Sequence, residues 1–130
     1  MAVARWRKTA RLRWMRNVFV SSFMLLGLAG PGFGDSLSGG ELLALCLTPK
    51  SGDMLYFTNF SLCAGYINGA SDASQCGNSV GGFSHANPAG VTVGEVFDVF
   101  VKWMQAHPEQ SSVGASTLVA KAMQDAYPCK

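Results

Sequence analysis

Arg5, Arg7, Arg11, Arg13 and Arg16 stand with Lys8 in the first sixteen residues, and no arginine follows them. An apolar run from Val18 to Leu28 comes next and breaks into Ala29-Gly30-Pro31-Gly32-Phe33-Gly34. A basic start, a short apolar stretch and a small-residue exit are the layout of a secretory signal peptide. This constrains the fold more than anything else in the chain. It leaves residues 35–130 as the unit that must fold, and it places the cysteines in an oxidising compartment.

A membrane anchor is the competing reading. A spanning helix needs roughly 20 apolar residues, and this run is eleven long, closed by Gly27, Gly30 and Pro31. We therefore expect a cleaved leader over 1–34 and no stable membrane anchor. Cleavage after Gly34 fits the small residues Gly32 and Gly34, and Ala29 is the second choice. There is no Arg-Arg pair, which favours the general export route over the twin-arginine one.

Removing the leader reverses the charge. The whole chain is +2, but residues 35–130 keep Lys50, Lys102, Lys121 and Lys130 against all eight carboxylates, a formal −4. The basic character belongs to the leader, so nucleic acid is not an expected partner. Four cysteines remain: Cys46, Cys63, Cys76 and Cys129. A metal site would want a close pair such as C-x-x-C. Here no two cysteines are closer than thirteen residues, so two disulfides are expected and no metal or other cofactor.

The periodicity is helical. Ser38-Gly39-Gly40-Glu41 is a capping-box pattern, followed by Leu42, Leu43, Leu45 and Cys46 and stopped by Pro49. Asp53 is positioned to cap a second helix over Met54–Ala73, with Leu55, Phe60, Cys63, Ile67 and Ala70 at helical spacing. Gly65, Gly69 and Ala73 form a small-residue row on it. Glycine inside a helix costs about 1 kcal/mol relative to alanine, so the row is expected to admit another helix backbone, local flexibility being the alternative.

Gln75–Gly90 shows no period and reads as a loop. Thr92-Val93-Gly94-Glu95 is a second capping box, opening a helix with Val93, Val96, Phe97, Phe100, Val101 and Met104 on one face. Pro108 stops it. A last helix is expected from about Ser112 to Tyr127. No segment alternates with period two. The expected fold class is all-α: a small disulfide-bonded four-helix domain, built as two antiparallel hairpins. Four cysteines allow three pairings. Such hairpins favour Cys46–Cys63 with Cys76–Cys129.

Catalytic constellations are weak. The two histidines, His85 and His107, fall in expected loops beside small or polar residues. No G-x-S-x-G elbow supports a Ser-His-Asp site, and the acids are scattered. Asp72, after the small-residue row, is the most interesting of them; a solvated helix-end acid is the plainer reading.

Cys63-Ala-Gly-Tyr-Ile-Asn-Gly-Ala-Ser-Asp72 resembles the C-x-G-Y-x-x-G-x-x-D signature of the Rap1a/Tai immunity proteins. Pro88-Ala-Gly-Val-Thr92 leading into a helix, Trp103-Met-Gln-Ala-His-Pro-Glu109 and Ala126-Tyr-Pro-Cys129 follow in that family's order. One departure stands out. Family members usually carry a cysteine directly before the proline that precedes the third helix, and here that place is Asn87, with Cys76 upstream. The resemblance implies a periplasmic, non-enzymatic protein that binds a peptidoglycan amidase delivered by type VI secretion and occludes its cleft, often as a homodimer. On that reading the expected contact surface is the turn before the last helix: His107, Glu109, Gln110, Ser111 and Ser112. Gly65, Tyr66, Gly69 and Asp72 are expected to be structural. An orphan periplasmic binding or chaperone-like module would carry the same sequence pattern.

Overall fold

The computed structural model describes residues 37–130; the expected leader and its cleavage points lie outside the described residues. Four helices follow in order: α1 (Gly39–Cys46), α2 (Met54–Ala73), α3 (Val93–Ala106) and α4 (Ala115–Ala126). A 3-10 turn, Pro108–Gln110, joins α3 to α4. Among the described residues there is no strand, only isolated bridges, and every pair of helices is in contact.

The helix starts are chemically explicit. Ser38 and Thr92 each cap with the side-chain oxygen, and Glu41 and Glu95 reach back to the cap N–H at 2.8 and 2.7 Å. Those backbone hydrogen bonds, with help from the cap hydroxyls, hold both carboxyls below the ordinary glutamate range. Asp53 caps α2 by accepting from the Tyr56 N–H at 2.9 Å, and its carboxyl is lowered by that bond first.

The core is made of Leu42, Cys63, Ile67, Val96, Phe100, Met104, Leu118, Val119 and Met123. Cys46–Cys63 ties α1 to α2 within it. Cys76–Cys129 ties the start of the long loop to the chain end, at a Cα separation of 6.0 Å. No described cysteine is free. Cys76 thus reaches the C-terminal segment from upstream, while Asn87 takes the place before Pro88 with its Oδ1 buried.

Four expectations are corrected. The inward face of α2 is Cys63, Ile67 and Ser71, while Leu55 and Phe60 are exposed. Apolar residues occur on both sides of this helix, so periodicity alone does not select the buried one. The row Gly65–Gly69 meets no other helix: a Cβ on either would have no atom within 4 Å. Val93 lies outside the α3 stripe, at 57% exposure. Finally, α4 begins at Ala115 rather than Ser112, because Ser111 and Val113 spend their carbonyls on α1.

Candidate functional site

The turn between α3 and α4 is built from its rings outward. His107 closes α3 as its C-cap, and its N–H donates to Met104 O at 3.2 Å. The His107 Nδ1 lies 2.8 Å from Trp103 O. A carbonyl can only accept, so Nδ1 carries the hydrogen. The imidazole stacks on the Trp103 ring with centroids 4.1 Å apart and planes 19° from parallel. Trp103 is fixed in turn: its Nε1–H donates to Asp125 Oδ2 at 2.8 Å, and the Lys121 ammonium lies over its ring. Lys121 also sits over Phe83, 5.4 Å from the centroid.

Pro108 sets the backbone for the 3-10 turn. The N–H groups of Gln110, Ser111 and Val113 then donate in series to the carbonyls of His107, Pro108 and Gln110. The start of α1 braces the far side. Gly40 N–H donates to Ser111 O at 2.9 Å, and Gly39 N–H donates to Val113 O at 2.8 Å. Side chains would crowd both positions, Gly39 more than Gly40. A Cβ on Gly40 would lie 3.2 Å from Ser111, and one on Gly39 would run into Leu118 and Met104. The outcome is a braced turn with polar groups at the surface. Glu109, Ser111 and Ser112 are exposed, and His107 and Gln110 are half-buried.

The structure therefore gathers His107, Glu109, Gln110, Ser111 and Ser112 in one turn. The residues of the α2 signature are dispersed around that helix. Tyr66 packs against the core, Asn68 Nδ2 donates to Ala64 O at 2.9 Å, and Asp72, Gly65 and Gly69 are exposed.

His85 departs from its expected loop environment, being fully buried. Its Nε2 lies 3.1 Å from Ser71 Oγ and 3.2 Å from Gln75 Nε2, and its Nδ1 lies 3.3 Å from Ser74 Oγ. Burial pushes the imidazole below the ordinary histidine value, against smaller upward pulls from Asn87, the Ser74 backbone and the Asp72 charge. A serine beside a histidine has the spacing of a nucleophile pair. Here, though, Ser71 and His85 are both sealed from solvent, and the atom on Nδ1 is a hydroxyl rather than a carboxylate. The cluster pins the loop to α2. Nothing in the local sequence marks it, since Ser71 and His85 come together only when the loop folds back.

The first turns of α2 carry a separate surface. Met54, Leu55, Phe57 and Leu62 are all more than half exposed. Beside them an open groove of about 730 Å³ is lined by Lys50, Gly52, Tyr56, Phe57 and Phe60. Among the described residues no His, Cys, Asp or Glu cluster could hold a metal ion.

Four packed helices, two disulfides and a braced polar turn between α3 and α4 thus make up the described residues. Comparison with known families finds a match: residues 38–129 fit the Rap1a immunity proteins. The chain belongs to that family and is an immunity protein, one that acts against a toxin. No curated protein matches it.

Proposed function

We propose that the chain is a periplasmic immunity protein that binds a peptidoglycan amidase delivered by type VI secretion and blocks its cleft without turnover. Residues 1–34 act as the export leader and 35–130 as the inhibitory domain. The observation that carries this reading is the braced turn His107–Ser112 in a chain of the immunity family. A contact braced before binding loses little loop entropy on association, and exposed polar groups on a short turn suit a polar cleft. Two formed disulfides support an oxidising compartment, and among the described residues no helix is long and apolar enough to cross a membrane.

The apolar face of α2 supports self-association. Exposed apolar patches of this kind mark interaction sites. The open Gly65–Gly69 ridge lets a second helix approach closely, the role it does not play within the monomer. The test is co-expression in the periplasm with a papain-like peptidoglycan amidase toxin. Protection from lysis and a stoichiometric complex are expected. A chain that leaves the amidase fully active removes the reading.

A further inference from the structure

The two disulfides differ in what a reductant can reach. Cys63 is fully buried and Cys46 nearly so, whereas Cys76 and Cys129 are both exposed. The exposed bond also sits at a junction. The loop closes on itself through Cys76 N–H to His85 O at 2.8 Å and His85 N–H to Ser74 O at 2.9 Å. The chain end lies along that closure, with Ala86 N–H donating to Tyr127 O at 2.9 Å and an antiparallel bridge between His85 and Pro128. Beyond Tyr127, the only covalent hold on the last residues is Cys129.

We infer that Cys76–Cys129 is a selectively reducible latch, a site for a dithiol reductant, whose opening releases the C-terminal segment and unseats the loop over His85 while Cys46–Cys63 stays closed. The step balances simply. A thiolate of the dithiol attacks one exposed sulfur, forms a mixed disulfide and expels the other sulfur as a thiolate. The second thiol of the reagent then closes its own disulfide. Two electrons pass to the protein, and the two protons of the dithiol end on Cys76 and Cys129. What remains at the junction is the backbone pairing of Cys76, His85 and Ser74, the Ala86–Tyr127 bond and the His85 ring contacts with Ser71, Ser74 and Gln75. The ring contacts hold the loop to α2 but not the chain end, and the interior they fill is polar rather than apolar, so it admits water once the chain end lifts. Access to the buried pair requires unfolding of the core, which sets its reduction apart. The latch does not depend on which toxin the α3–α4 turn meets.

The experiment uses the oxidised protein and dithiothreitol. Thiols are trapped by alkylation and located by peptide mass mapping, and amide hydrogen exchange is followed on the same samples. Cys76 and Cys129 should be labelled on the order of tenfold faster than Cys46 and Cys63. In the singly reduced protein the amides of Cys76, His85 and Ala86 should lose protection by a similar factor, and those of α1 to α3 should keep it. The double variant Cys76→Ser/Cys129→Ser should show the same exchange pattern without reductant. Labelling of all four cysteines in one step overturns the inference. So does selective reduction with unchanged exchange at those three amides. The partly reduced wild-type chain decides the matter even where the double variant does not fold.

Discussion

Replacing the exposed disulfide by serines has a cost that can be worked from the loop it closes. In Cys76→Ser/Cys129→Ser both residues are exposed, so no cavity opens and no hydroxyl is buried. Besides the local loosening of the junction, the restriction on the unfolded chain is lost. With a sequence separation of 53, the loop-closure relation gives about 4 kcal/mol at 25 °C. The shorter Cys46–Cys63 loop, with a separation of 17, gives about 3 kcal/mol by the same relation. A domain of this size is stable by about 5–15 kcal/mol in total, so the variant should fold but sit near the lower edge. Its melting temperature should fall by roughly 20 °C, taking about 2 cal/mol/K of unfolding entropy per residue. The assay is urea unfolding of both proteins without reductant, followed by circular dichroism, with m-values compared. A loss below about 1 kcal/mol with an unchanged m-value would refute the chain-entropy account.

Other outcomes follow from single side chains. His85 is lowered from its ordinary 6.5 by burial, so the unfolded chain binds the extra proton first. Its stability contribution is fully present above that value and is lost as pH falls toward the lowered one. Urea midpoints should drop between pH 7 and pH 5 in the wild type, and His85→Gln should flatten that slope; an unchanged slope would assign it to other groups. Gly39→Ala drives a methyl into Leu118 and Met104 and should destabilise by about 1–3 kcal/mol. Gly65→Ala, whose Cβ meets nothing, should stabilise the monomer by up to about 1 kcal/mol yet weaken self-association measured by sedimentation. Equal effects on the two glycines would contradict the packing described. Glu109→Ala/Gln110→Ala should weaken amidase inhibition with the melting temperature unchanged, and full retained inhibition would move the contact surface elsewhere.

The sequence announces local structure well here. Ser38 with Glu41, and Thr92 with Glu95, mark two helix starts because the capping bonds lie within one turn of chain. The cysteine pairing was legible once the helices were placed, since hairpin geometry limits which thiols meet. The inner side of α2 was not, because Leu55, Phe57, Phe60 and Leu62 make both faces look apolar. His85 was hidden for a different reason: its burial depends on a loop returning to Ser71 and Ser74, a long-range event with no periodic trace. The position of the candidate turn was readable from His107-Pro108. Its rigidity was not, because Gly39 and Gly40 reach it through backbone groups far away in the chain.

Trp103 is the sole tryptophan among the described residues, the others being Trp6 and Trp14. It lies at the root of the α3–α4 turn, face to face with His107 and in reach of Lys121 and Asp125. In a protein of residues 35–130 its indole emission is thus a native optical gauge of that turn. A docked partner would change the brightness or colour of the ring with no label attached.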